Sequence, residues 1–193
     1  MVVAPALTDL GDVAHVLSTT RPSVALLDLD LGPFGRGEEL LPVLTGAGTR
    51  VLVVSGQRDE AVVGGCIHAG AYGAVPKTAG FDELLEAILA TLAGQPVLSL
   101  QERERLVGAW RRRESDVAAA LAPFEQLTRR EAVVLGMLME GKPVERIAGD
   151  SFVSVATVRI QVRSVLLKLG VNSQLEAVGK ANRAGWSSHP EPW

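Results

Sequence analysis

Apolar positions along the chain follow two different periods, and the change falls near residue 98. In the first half, VVAPA, VALLDL, RVLVVS and GAVP are short apolar runs rich in Val and Leu. Helix-like segments separate them at roughly 9–19, 36–46, 58–70 and 80–94, an alternation that predicts a parallel sheet covered by helices on both faces. In the second half the apolar residues recur at helical spacing. Residues 127–140 begin with a capping box, Thr128 and Glu131, and carry a Val134, Leu135 and Leu138 face. Gly141 ends that helix, PVERIAG offers Ile147 and Ala148 as a buried pair, and SQLEAVGKANRAG opens with a second box from Ser173 to Glu176. Between the halves, residues 98–123 read as a charged connector helix, capped by Ser99 with Glu102 at the third position and closed by Pro123.

The most informative stretch is 151–170, SFVSVATVRIQVRSVLLKLG. Val158, Val162, Val165, Leu166 and Leu169 make one apolar stripe, Ser154 stands at the N-cap, and Gly170 stands where the chain leaves with φ > 0. The opposite face holds Thr157, Arg159, Ile160, Arg163, Ser164 and Lys168, with no acidic residue from Ser151 to Gly170. A basic, hydroxyl-bearing helix face with one exposed apolar residue has the chemistry for a DNA major groove. A solvated charged face is the plain alternative. Four short capped helices joined by tight turns favour the groove, as in a helix-turn-helix.

At 193 residues, 47% hydrophobic and 21% charged, the chain has room for two small domains. The start lacks a signal-peptide pattern and no window is apolar enough to span a bilayer, so a cytoplasmic protein with no membrane contact is expected. A single cysteine, Cys66, rules out an internal disulfide and a cysteine-rich zinc site, while His15, His68 and His189 are scattered. No metal site and no catalytic residue of an enzyme is expected. Charge is uneven, a net −6 over residues 1–97 and +3 over 98–193. The acidic first half repels phosphate, so nucleic-acid contact belongs to the second. Arg111 to Arg113 read as a solvated linker surface.

Four motifs of the second half, L-T-x-R-E, G-x-x-x-x-x-I-A, V-S-x-x-T-V-x-x-x-x-x-x-x-L-x-K-L-G-V and E-A-V, resemble the LuxR-type helix-turn-helix over about residues 125–185. The resemblance implies that Arg159, Ile160 and Arg163 reach base edges and that Thr157, Gln161 and Lys168 contact phosphates. It also implies a homodimer paired through the last helix, where Leu175, Val178 and Asn182 are spaced as an exposed stripe. Two positions depart from the pattern: Pro143 replaces the usual Ser or Thr cap, and Ser151 replaces an apolar residue.

RPSVALLDLDLG, VLVVSG and AGAYGAVPK resemble the receiver domain of two-component response regulators, from about residue 20 to 95. The resemblance implies a flavodoxin-like sheet with Asp28 as phosphoacceptor, Ser55 bonding the phosphoryl group and Lys77 pairing with it. Receiver and LuxR-type helices in this order resemble the NarL/FixJ class. Before residue 20 the match fails. Only one strand, VVAPA, and one helix precede VALLDL, so one strand-helix unit is lacking, and with it the acidic pair that holds Mg²⁺. Asp9 and Asp12 are the only early carboxylates, and Ala74 stands where the family has its switch aromatic. Either a longer protein supplies the missing pair or the receiver is degenerate. VVAPA can lie beside VALLDL through a right-handed crossover, giving four strands.

These readings divide the chain into a receiver-like domain at 1–97, a helical linker at 98–123, a LuxR-type domain at 124–186 and a tail at 187–193 that is expected to be disordered. They favour a sequence-specific transcriptional regulator that binds double-stranded DNA as a homodimer, without phosphorylation and without a cofactor. If Asp28 does accept a phosphoryl group, Mg²⁺ and a sensor histidine kinase join the scheme. Two rival readings remain open, a ligand-gated regulator and a sigma-factor-like module, the latter opposed by the α/β first half.

Overall fold

The computed structural model describes residues 10–32, 35–56 and 59–188. The expected strand VVAPA, the early Asp9 and the tail from His189 onward lie outside the described residues. Two compact units result, Met1–Arg113 and Glu114–Trp193.

The first unit runs α1 (Leu10–Thr20), β1 (Val24–Asp28), a 3₁₀ turn (Gly37–Leu40) leading into α2 (Leu41–Gly46), β2 (Arg50–Ser55), α3 (Glu60–His68), β3 (Gly73–Pro76) and α4 (Phe81–Leu92). Among the described residues the sheet has three parallel strands in the order β1-β2-β3, with Leu26 beside Leu52 and Val53 beside Ala74. Alternation along the strands sends side chains to opposite faces. On one face Leu27, Val51 and Val53 join Val13 and Leu17 of α1, Leu41 and Leu44 of α2, and Cys66 and Ile67 of α3 in one core. On the other, Leu52 and Val75 pack against Ala87 of α4. Both faces are therefore covered, but unequally: Leu26, Phe81, Leu85, Leu89 and Leu92 remain exposed around α4.

A long helix, α5 (Leu100–Glu125), continues past Pro123, which lies inside its last turn rather than ending it. Its first half packs on α3 because two adjacent glycines leave space. A Cβ on Gly64 would collide with the Leu106 carbonyl, and one on Gly65 would sit 3.0 Å from Trp110 Cδ1. Trp110 stacks on His68 with ring centroids 3.9 Å apart. Arg105 pairs with Glu60, and Arg113 with Asp59 at 2.5 Å. The three exposed arginines expected in the linker thus include one, Arg113, with a partner.

The second unit adds α6 (Arg129–Met139), α7 (Val144–Asp150), α8 (Val155–Leu169) and α9 (Gln174–Ala184). The first expected capping box is complete, Thr128 accepting from the Glu131 amide and Glu131 from the Thr128 amide; in the second, Ser173 accepts from the Glu176 amide, but the Glu176 carboxylate accepts from the Asn172 amide instead. Pro143 caps α7 without a side-chain bond, as its chemistry requires. One core gathers Phe124, Leu135, Val165, Leu169, Ala177 and Ala181, with Trp186 stacked on Phe124 at 5.3 Å. A second gathers Val134, Leu138, Ile147, Ala148, Val158 and Val162.

Glu131 ties these helices together. Its Oε2 accepts from the Thr128 amide at 2.7 Å and from Lys168 Nζ at 2.6 Å, and its Oε1 accepts from Ser164 Oγ at 2.5 Å. Burial alone would raise the carboxyl pKa, but the donors from Lys168, Ser164 and Thr128 outweigh it and hold the group at about 2, against an ordinary 4.5. A depressed pKa stabilises the fold above the unfolded value and loses that contribution as pH falls toward the folded one. Glu131→Gln is therefore expected to destabilise the protein at pH 7 by about 2 kcal/mol. The deficit should hold down to about pH 5 and shrink between there and pH 2. Urea midpoints measured across that range check it; a deficit independent of pH would show that the charge plays no part.

Candidate nucleic-acid interface

Helix α8 starts and stops where its sequence dictates. Ser154 Oγ accepts from the Thr157 amide at 3.1 Å and lies 2.8 Å from Thr157 Oγ1, so one hydroxyl caps the helix and fixes another. At the far end Gly170 adopts φ 64° and ψ 41°, the left-handed conformation that a residue with a Cβ resists. Lys180 Nζ donates to the Leu169 carbonyl at 2.6 Å, matching a cation to the negative end of the helix.

Val158, Val162, Val165 and Leu169 are buried, and Leu166 is half-buried. Turned away from them are Thr157, Arg159, Ile160 and Arg163, all exposed. Ile160 is 70% exposed. Arg159 Nη2 stands 3.6 Å from Glu145 Oε1 of α7, while Arg163 makes no ion pair among the described residues. Four of the six residues expected at DNA therefore share one open face.

The other two are placed differently. Gln161 is half-buried at the edge of that face. Lys168 points along α6, its Nζ bonded to Glu131 and its side chain 29% exposed. Ser164, expected on the outer face, likewise turns inward to Glu131. The outward surface is narrower than the sequence suggested, because a carboxylate on α6 claims its edge. Ser164 and Lys168 are spaced i and i+4, a pattern that signals a shared edge but not which partner lies beyond it.

On α9, Leu175 is 83% exposed and Asn182 is exposed. Val178 is half-buried against the core formed by Ile147 and Val158, so the expected exposed stripe is interrupted at its centre. Two residues near the interface gave no signal in the sequence: Glu145, and Phe152, which is 96% exposed with φ 53° in the turn before α8. A bulky residue with positive φ is a backbone feature that spacing does not announce.

In the first unit the carboxyl ends of the strands bring together the expected trio. Asp28 ends β1, Ser55 ends β2 and Lys77 follows β3, and all three line one open cleft with Asp30, Arg36 and Gly56. Lys77 Nζ pairs with Asp28 Oδ2, and the Asp30 amide donates to Asp28 Oδ1 at 3.0 Å. Lys77 and that amide hold the Asp28 carboxyl below its ordinary value. Ser55 is buried. Mg²⁺ takes one or two carboxylates and fills its octahedron with waters and phosphate oxygens. Here both Asp28 oxygens are bonded, Asp30 Oδ1 accepts from the Gly32 amide at 3.0 Å, and two cations line the cleft. Among the described residues Asp30 is the one other carboxylate that lines the cleft, and Asp12 lies in the first turn of α1.

The family model for bacterial regulatory proteins of the luxR family matches residues 125–181, the span of α6 through most of α9. Over 171 residues the chain is 32% identical to the "Probable transcriptional regulatory protein NarL" of Mycobacterium tuberculosis (strain H37Rv), covering 88% of this chain and 76% of that protein. The transcriptional regulatory protein LiaR of Bacillus subtilis (strain 168) is 31% identical over 134 residues, 69% of this chain and 62% of its own. The oxygen regulatory protein NreC of Staphylococcus aureus (strain JH9) is 29% identical over 161 residues, 82% and 74% respectively. An α/β unit with an aspartate, a hydroxyl and a lysine at its strand ends, followed by four short helices that match the luxR family, places this chain among the NarL-type response regulators.

Proposed function

We propose that the protein is a sequence-specific transcriptional regulator that works on DNA in the cytoplasm as a homodimer, with α8 entering the major groove. The observation that carries this is the exposed row of Thr157, Arg159, Ile160 and Arg163 on a helix whose other side is locked into two cores. Arg159 and Arg163 supply the paired donors that bridge guanine O6 and N7, Ile160 the apolar surface for a thymine methyl, and Thr157 a hydroxyl for phosphate at the helix start. Lys168 acts from behind, by holding α8 against α6 through Glu131. A dimer doubles the base pairs read, and of the expected stripe on α9 Leu175 and Asn182 are exposed and available for pairing.

In this reading Asp28 does not switch the protein by accepting a phosphoryl group, because its carboxylate is engaged by Lys77 and Asp30 is the one other carboxylate lining the cleft among the described residues. The second reading, a regulator phosphorylated at Asp28 by a sensor histidine kinase, is favoured by the convergence of Asp28, Ser55 and Lys77 in one cleft.

Intact-protein mass spectrometry after acetyl phosphate with Mg²⁺, followed by operator binding of the same sample at fixed salt, separates the two. Unchanged mass with operator binding is the expected outcome; an added phosphoryl group with tighter binding supports the second reading. Arg163→Ala should weaken operator binding by roughly 1–3 kcal/mol and random duplex far less. Equal losses on both duplexes, by titration at one salt concentration, would make Arg163 a phosphate contact instead. Leu175→Asp is expected to shift sedimentation from dimer to monomer and to weaken operator binding with it, and a dimer that survives this change pairs elsewhere.

A further inference from the structure

We propose that the Phe152 ring is a DNA contact: it lies on deoxyribose at the rim of the groove that α8 enters, and adds affinity that does not depend on charge. The inference rests on the reading of α8 as the helix that enters DNA. Helix α7 ends in a tight turn, the Phe152 amide donating to the Gly149 carbonyl at 3.2 Å and the Val153 amide to the Ala148 carbonyl at 3.1 Å. Such a turn needs a left-handed residue at its centre. The ends of α6, α8 and α9 make the same turn with glycine, at Gly141, Gly170 and Gly185. Among the described residues of this unit, only the end of α7 puts a bulky side chain there, Phe152 at φ 53°.

The fold gains nothing from that choice. A Cβ disfavours the left-handed backbone, and a ring offsets the strain only where it packs. Phe152 is 96% exposed, whereas the other described aromatics of the unit, Phe124 and Trp186, stack on each other. A strained residue left bare in its own chain serves a contact outside it. Its place says which. Phe152 stands two residues before Ser154, the cap of α8, and Val153 between them is 40% exposed. Recognition helices meet DNA with their N-terminal residues, so this turn borders the sugar-phosphate rim of the groove. No acidic residue occurs from Ser151 to Gly170 to repel that rim. Between its phosphates the rim presents deoxyribose, whose carbons a phenyl ring can cover, and the hydrogen-bonded turn holds the backbone beneath the ring in place before binding. A sugar contact carries no base information, so it strengthens every duplex alike.

The test uses the full chain, an operator selected by the unaltered protein from a random-sequence pool, and a random duplex of equal length, each titrated over a range of salt. Phe152→Gly is expected to raise the urea midpoint of the free protein, because glycine relieves the left-handed strain. The same variant should bind both duplexes roughly three- to tenfold more weakly, as loss of a partly buried ring implies. Its salt dependence should match that of the unaltered protein, since no phosphate contact is lost. Phe152→Tyr keeps the ring and should stay within about twofold on both duplexes. Unchanged affinity of Phe152→Gly overturns the proposal and leaves the ring to a protein surface. A lowered urea midpoint overturns it too, by showing that the fold needs the ring, and so does a salt slope shallower by about one phosphate contact. If Arg163→Ala costs neither duplex anything, α8 is not the reading helix and this contact falls with it; a loss on Arg163→Ala beside none on Phe152→Gly removes the contact alone.

Discussion

A buried carboxylate is the constraint on which the C-terminal unit turns. Glu131 caps the helix that carries it, and the same two oxygens bind Ser164 and Lys168 on the recognition helix. One side chain thus fixes the start of α6 and the rotation of α8 about its own axis. That rotation decides which residues face outward. The apolar stripe of α8 could tolerate some rolling, since valines slide over valines at little cost, whereas the two hydrogen bonds from α8 to one carboxylate cannot. The direction in which Arg159, Ile160 and Arg163 point is therefore set from the edge of the outward face.

Much of this was legible in the sequence, for identifiable reasons. VALLDL, RVLVVS and GAVP became β1, β2 and β3 because short Val- and Leu-rich runs between helical segments have few other forms. Ser154, Thr128, Ser173 and Gly170 marked helix ends because capping is a local interaction, complete within a few residues. What was not legible is what depends on distant neighbours. Lys168 is separated from Glu131 by 37 positions, and a lysine with a long apolar stem looks the same at an exposed and at a half-buried site. Val178 belonged by spacing to an exposed stripe, yet it lies against Ile147 and Val158. Pro123 was expected to stop α5, but a proline near a helix end only removes a bond that the last turns can spare.

The N-terminal unit shows a comparable division between scaffold and chemistry. Three strands place Asp28, Ser55 and Lys77 at one edge, as parallel sheets do, while the electrostatics of the cleft come from loop neighbours. Lys77 and the Asp30 amide satisfy the aspartate from two sides. On α3, which follows β2, the glycine pair admits the first half of α5, whose Leu106 and Trp110 would collide with any larger residue there. Arg105 and Arg113 fasten the same two helices at their outer edge.

The separation on α8 between an inner side bound to Glu131 and the cores and an outer row in water has a consequence for divergence. Substitutions at Thr157, Ile160 or Arg163 remove no buried contact, so a duplicated copy of this chain can change the DNA it reads with little loss of fold stability. Substitutions at Ser164 or Lys168 lack that freedom, because each leaves a buried carboxylate short of a donor. New targets are open to such a lineage one outward residue at a time, while the frame that aims those residues stays the same.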